Sequence, residues 1–305
     1  MTWLQWFGLV LFTLIVVAAG LVAFGAWRST VDTRHRLHRL DASRSSRQEA
    51  GAPPTHYSVR ELVGLPTPVQ RYFRAVLIDG QPMISAVSIE LAGTFNMSPT
   101  REQWKPFTSK QRVVTARPGF VWDARIAMLR GLPVRVVDSY IAGEGLLHAA
   151  VLGLFEVANV HGRGEIARSE LLRYFAEMPW YPTALLPSQG VRWEAVDHES
   201  ALANIVDGPL TLKLLFKFNH ADLIDSFYAK ARGSLVGKKM VMAPWEGHWS
   251  NYQTHDGMTV PLTGEVAWIR PEGRKTYFVG TVTSLKYEWY RTSASPQMTP
   301  VEAPH

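Results

Sequence analysis

The sequence predicts an α+β fold, in which an N-terminal transmembrane helix precedes one large, curved, mainly antiparallel β-sheet of about ten strands. Three observations predict it. An uncharged apolar stretch opens the chain, the hydrophobic period changes to two over much of the remainder, and short connections separate the alternating segments. Short connections favour antiparallel neighbours because a parallel crossover needs about a dozen residues or more. A few helices are expected to pack on this half-barrel-like sheet.

The apolar stretch is long enough to cross a membrane. No charged side chain occurs from Trp3 to Trp27, and a helix of that length, rising 1.5 Å per residue, exceeds the roughly 30 Å hydrocarbon core. Aromatic residues lie at both of its ends, as in spans that reach the headgroups. The alternative is a cleaved signal peptide with a site at Ala23–Gly25, but the start is not basic and the core is long. We therefore predict a retained single-pass anchor over residues 1–28.

Residues 29–54 are predicted to form a basic tether, either solvated or associated with lipid headgroups, because Arg, Ser, His and Gln dominate this segment. Between Arg28 and Ala50, six arginines against three acidic residues leave a surplus of three positive charges, half of the net charge of +6. Attraction to the lipid bilayer explains this surplus better than nucleic acid does. By the positive-inside rule, the globular domain, residues 55–290, is expected in the cytoplasm. Residues 291–305 are predicted to be a disordered tail.

Several kinds of chemistry are excluded by residue type. The chain has no cysteine, which removes disulfides, thiolate metal sites and cysteine nucleophiles. His248 and His255 lack a third ligand at a suitable spacing, so no metal site is predicted. Walker, dinucleotide-binding and nucleophile-elbow motifs are absent from the sequence, so no cofactor is predicted.

The remaining elements follow from periodicity and turn residues. Thr67 as N-cap with Pro68 predicts an amphipathic helix, and Val87–Phe95 alternates as a half-buried strand. The further strands and hairpin turns are predicted at Gln111–Ala116, Phe120–Ala127, Val134–Ile141, Val191–Ala195, Asp207-Gly208, Leu212–Phe218, Asp256-Gly257 and Pro271–Gly273.

A helical insert, stopped by Pro179, carries the main polar feature of the chain. Glu170, Arg173 and Glu177 follow at i, i+3 and i+7, so two carboxylates can hold one arginine on a single face. If this face lines a cavity, either carboxylate could act as a general acid or base. A solvent-facing row of ion pairs, worth about 0.3 to 0.5 kcal/mol each, is the favoured interpretation. The next segment, Met178–Pro187, could be a lip over a pocket or a packed connection.

Other candidates lie on the predicted strands. Asp123 and Asp138 would be costly if they faced inward unpaired, and facing water is the alternative. Large aromatic residues on a concave sheet would suit an apolar ligand. The candidate ligand-binding residues are Glu170, Arg173, Glu177, Trp180, Trp193, Trp122, Asp123, Asp138 and Tyr140.

Three segments, Arg173–Leu186, Val191–Trp193 and Trp245–Val260, resemble an uncharacterised bacterial family of membrane-anchored proteins of unknown function. The resemblance covers most of Pro66–Glu288 and implies no activity. The strands wrapped about a helical insert also resemble the lipoprotein-carrier fold, which implies an apolar cavity with helices in its mouth. No carrier-specific motif is present, and a membrane-retained chain departs from the freely diffusing carrier pattern.

Three functions remain open from the sequence. The favoured one is a binding module that encloses a lipid or another hydrophobic small molecule beside the bilayer. An enzyme using Glu170, Arg173 and Glu177 on a small or lipid-derived substrate is the second. A scaffold domain of a membrane complex is the third, and it would expose a large apolar patch. The ligand, protein partners and oligomeric state are not predicted.

Overall fold

Three α-helices and one thirteen-stranded sheet dominate the computed structural model, which describes residues 2–48, 54–98, 101–129, 132–237 and 239–290. The helices are α1 Trp3–Gln48, α2 Thr67–Val76 and α3 Glu165–Ala176. The strands are β1 Ile84–Asn96, β2 Trp104–Val114, β3 Gly119–Leu129, β4 Leu132–Ile141, β5 Glu144–Val151, β6 Phe155–Gly162, β7 Arg192–Ala195, β8 Ser200–Asp207, β9 Leu210–Phe218, β10 Ile224–Val236, β11 Lys239–His255, β12 Met258–Arg270 and β13 Gly273–Trp289. Short 3-10 helices occur at Val59–Leu62, Met178–Trp180, Pro182–Leu185 and Pro187–Gln189.

Two antiparallel meanders, β1–β6 and β7–β13, form the sheet and join where β1 pairs with β13. The predicted α+β class and antiparallel sheet are confirmed, with more strands than about ten. Strands β5, β6 and β10 account for the difference. Bulges between Ala149 and Ala150 and between Ala229 and Arg232 interrupt the register of two of them, and an extra residue breaks the period of two that reveals a strand.

The sheet curves around α3. This helix contacts β3–β6 and also β9 and β10, which lie far apart in the strand order. Its buried residues include Leu171, Tyr174 and Phe175, and they join the main hydrophobic core on the concave side. The 3-10 helices Met178–Trp180 and Pro182–Leu185 after α3 are buried as well. Of the two alternatives for the segment Met178–Pro187, the structure therefore has the packed connection.

The strands of the sheet end along two opposite sides, which we call its edges. The connections after β1, β3, β5, β8, β10 and β12 follow one edge, because antiparallel strands alternate in direction. We call it the Gly25 edge, since Gly25 of α1 packs on the β5–β6 connection. The connections after β2, β4, β7, β9 and β11 follow the other, the α2 edge. Arg71 of α2 pairs there with Asp222 at 2.6 Å. Helix α2 begins at Thr67, with Pro66 rather than Thr67 as its N-cap residue.

Helix α1 continues past the predicted anchor and lies on the convex face. It contacts β2, β3 and β4, and Leu40 is fully buried there in a second core cluster with Val121 and Val137. Arg44 pairs with Glu288 at 2.7 Å. The prediction of a tether is therefore wrong as far as Arg44, because a buried leucine and a paired arginine hold this segment on the sheet. Residues 49–53 and the predicted tail, 291–305, lie outside the described residues.

The N-terminal part of α1 makes little contact with the sheet. Its apolar side chains, such as Trp6 and Phe12, are exposed, and by length and composition it is the candidate membrane span among the described helices. It leaves the sheet at the Gly25 edge, because Gly25 lies against Leu152 and Leu154.

Candidate functional site

A cavity of about 530 Å³ lies between α3 and the concave face of the sheet. Its volume is within the range of small-molecule sites, roughly 300 to 1,000 Å³. Aromatic side chains from six strands and one 3-10 helix line it, and these are Phe95, Trp122, Trp180, Phe227, Trp245, Trp249, Trp268, Tyr277 and Phe278. At its inner wall, Trp180 and Trp249 are in edge-to-face contact, with ring centroids 4.9 Å apart.

The cavity opens toward the Gly25 edge. Its lining includes Ser98, after β1, and Gly237, in the β10–β11 connection. Arg270 and Lys275, on either side of the β12–β13 turn, line it too. No described residue of the connections at the α2 edge contributes to the lining. We call the opening bounded by these residues the mouth.

A buried arginine is the centre of the polar part of the lining. Arg173 Nη1 donates to Asp138 Oδ2 at 2.7 Å, and its Nε donates to Glu177 Oε1 at 2.8 Å. The guanidinium also lies 4.4 Å from the ring centroid of Trp122. All three charged side chains are 11 to 13% exposed, so the predicted row of solvent-facing ion pairs is wrong. The apolar residues that place α3 inside the sheet also carry its polar face into the interior.

Glu170 is the most deeply buried carboxyl group of the site, at 1% exposure. Its partner is Arg232 of β10, at 3.8 Å, and that guanidinium lies 4.6 Å from the ring centroid of Trp245. Burial, with the charge of Asp138 nearby, raises the pKa of Glu170 to about 8. Burial also raises the pKa of Asp138, against the opposing effect of Arg173. Glu170 therefore holds a proton at neutral pH and could exchange it there.

Several polar atoms around this cluster are incompletely satisfied. Within the described residues, Asp138 Oδ1, Glu170 Oε2 and the indole N–H groups of Trp122, Trp180 and Trp249 are buried without a hydrogen-bond partner. Each such group costs about 1 to 3 kcal/mol, and they are uncommon in packed cores. Their concentration here makes the cavity wall, rather than the rest of the core, the candidate site.

Six of the nine candidate residues predicted from the sequence line this one cavity: Trp122, Asp138, Glu170, Arg173, Glu177 and Trp180. Three candidates lie elsewhere. Trp193 packs on Phe216 and donates to the carbonyl of Leu185 at 3.0 Å. Asp123 faces α1 and pairs with Arg135 at 2.6 Å. The hydroxyl of Tyr140 donates to Asp207 at 2.7 Å, away from the cavity.

Sequence reasoning missed two groups of lining residues. Trp245 and Trp249 are four apart on β11, so strand alternation would have placed both on one face. Arg232 follows the bulge in β10, where the period of two fails, and no sequence pattern marks it.

Comparisons with known proteins give a family but no activity. No functionally curated protein matches the chain. A solved LolA superfamily protein from Nitrosomonas europaea is 10% identical, with a TM-score of 0.38 over 74% of this chain and 95% of that one. A beta-barrel-like protein of the domain of unknown function DUF1849, from Brucella abortus, is 9% identical, with a TM-score of 0.21 over 68% of this chain and 99% of that one.

The family model that matches covers residues 63–287, well over half of the 305 residues, and is described as a family of unknown function. This confirms the resemblance to an uncharacterised family, whose extent was predicted as Pro66–Glu288. The chain belongs to the DUF6920 family.

Proposed function

We propose that this chain is a single-pass membrane protein whose cavity binds a lipid or another hydrophobic small molecule. The observation that carries the proposal is the cavity of about 530 Å³ with its aromatic lining. Burying an alkyl chain of about twelve methylenes would contribute roughly 10 kcal/mol. That contribution is comparable with the estimated cost of association, about 4 to 15 kcal/mol, so the ligand needs both an apolar chain and polar contacts to bind at micromolar concentration or better.

The membrane part of the proposal is supported by α1. Its apolar stretch is exposed from Trp3 to Phe24, and exposed leucine, isoleucine and phenylalanine side chains are stable in lipid. Six arginines follow the stretch, which favours a domain on the cytoplasmic side. We take residues 55–290 as the binding domain.

The test is native mass spectrometry of the full chain released from membranes, followed by organic extraction. We expect a stoichiometric adduct, and we expect Met240→Trp to weaken or lose it, because Met240 lines the cavity near its mouth and an indole there would narrow the entrance. Val241→Trp is the matched control, since the neighbouring side chain on the strand is exposed. Protein without an adduct, or equal adducts in both variants, would contradict the proposal and favour the scaffold function.

A second candidate function, an acid–base enzyme for a small or lipid-derived substrate, is favoured by Glu170. This carboxyl group lies in the cavity wall with its pKa raised to about 8 by burial and by Asp138, which suits proton transfer near neutral pH. Incubating the extracted ligand with the wild-type chain and with Glu170→Gln would test it. Turnover that is lost in the variant, with ligand binding retained, would support catalysis; binding without turnover in the wild type would exclude it.

A further inference from the structure

The two edges of the sheet differ in charge. Basic residues at the Gly25 edge are Arg101, Lys105, Lys239, Arg270, Arg274 and Lys275. The acidic residues of the same connections and strand ends are Glu102, Glu156, Asp207 and Glu272, and Asp207 is paired with Arg117 at 3.5 Å. At the α2 edge, the connections and strand ends include Asp79, Glu144, Asp197, Glu199, Asp222 and Asp256, beside Arg117 and Arg163. The edge at which the cavity opens is therefore the basic one.

Exposed apolar side chains accompany these basic residues. Phe155 at the start of β6 is 67% exposed, and Val241 and Met242 near the start of β11 are 41% and 43% exposed. Aromatic and aliphatic side chains beside lysine and arginine are the combination that binds the interfacial region of an anionic bilayer.

Helix α1 directs the same edge toward the membrane. Phe24 and Trp27, whose ring centroids are 5.8 Å apart, flank Gly25, and Gly25 packs on the β5–β6 connection. Aromatic residues at the end of a span lie at headgroup depth. A β5–β6 connection in contact with Gly25 must then lie at about the same depth.

We propose that the Gly25 edge rests on an anionic bilayer surface, so that the mouth of the cavity opens onto the lipid headgroups. This inference rests on the proposed membrane anchoring, but it does not depend on which ligand the cavity takes. A ligand would pass between leaflet and cavity without crossing bulk water. The basic side chains that line the mouth, Arg270 and Lys275, would meet the phosphates of the leaflet.

The absence of cysteine allows a direct test by single-cysteine labelling of the full chain in vesicles that contain an anionic lipid. An environment-sensitive fluorophore would be placed at Phe155→Cys and Val241→Cys at the Gly25 edge. Matched positions away from it are Val63→Cys and Ile78→Cys, which are 84% and 63% exposed. The quencher is a lipid that carries a nitroxide near its headgroup.

We expect at least several-fold stronger quenching at Phe155→Cys and Val241→Cys than at Val63→Cys and Ile78→Cys. Adding Lys239→Glu and Lys275→Glu should reduce quenching at Val241→Cys, because the attraction to anionic lipid is reversed. Equal quenching at all four positions, or stronger quenching near α2, would overturn the orientation. A chain that fails to float with the vesicles in a density gradient would instead overturn the anchoring itself, and with it this inference.

Discussion

The proton on Glu170 makes a testable contribution to stability. In the unfolded chain this carboxyl group has a pKa of 4.5, and burial beside Asp138 raises the pKa in the folded chain to about 8. Between these values, the folded state keeps a proton that the unfolded state releases, so the free energy of unfolding falls as pH rises. The slope is about 1.4 kcal/mol per pH unit. From about pH 5.5 to 7.5, this group alone should remove about 3 kcal/mol.

Glu170→Gln keeps the shape of the side chain and removes its titration. We expect the stability of this variant, relative to the wild type, to increase by about 3 kcal/mol over that pH interval. The assay is urea unfolding of the full chain in detergent, followed by tryptophan fluorescence. Glu165→Gln, on the exposed first turn of the same helix, should keep a constant difference from the wild type. If the free energies of unfolding of Glu170→Gln and of the wild type changed with pH in parallel, a buried, protonated Glu170 would be refuted.

Three further predictions concern the buried arginine and the docking of α1. Arg173→Met leaves two buried carboxylates without their cation and should cost about 3 to 5 kcal/mol in urea unfolding, against less than about 0.5 kcal/mol for the exposed Arg163→Met. Leu40→Ala should cost about 2 to 5 kcal/mol in the same assay, because Leu40 is fully buried between α1 and the sheet. Gly25→Leu should increase the distance between spin labels on α1 and on the β5–β6 connection, because a Cβ at Gly25 would meet backbone at 2.6 Å. Gly20→Leu is the control and should leave this distance unchanged, because a Cβ at Gly20 meets nothing within 4 Å.

Results contrary to these expectations have specific meanings. A small effect of Arg173→Met would show that water reaches the cluster and screens its charges. A small effect of Leu40→Ala, together with unchanged label distances in Gly25→Leu, would show that α1 does not dock on the convex face.

The sequence predicted the fold where a local pattern was intact. Alternation in Val87–Phe95 and the turn at Asp256-Gly257 located strands β1, β11 and β12, because a half-buried strand requires that period. The sequence did not predict β10, because a bulge shifts the register of this strand before Arg232. No local pattern could show which residues meet across the sheet.

The sequence also could not predict that the polar face of α3 is buried. Helical spacing placed Glu170, Arg173 and Glu177 on one face, but an exposed row of ion pairs has the same spacing. Which environment applies depends on Asp138 and Arg232, which come from β4 and β10. For the same reason, Asp123 and Trp193 could not be separated from the true lining residues: a strand pattern gives two faces and does not say which of them encloses a cavity.

The unbroken course of α1 has a mechanical consequence. At 1.5 Å per residue, its 46 residues form a rod of about 69 Å, with one half apolar and the other fixed along the sheet by Leu40 and Arg44. A rod without a hinge transmits rotation. In the proposed orientation, a change in bilayer thickness would tilt the apolar half of α1, and the sheet would tilt by the same angle. This tilt would raise or lower the mouth relative to the headgroups. The thickness of the bilayer would then control access to the cavity.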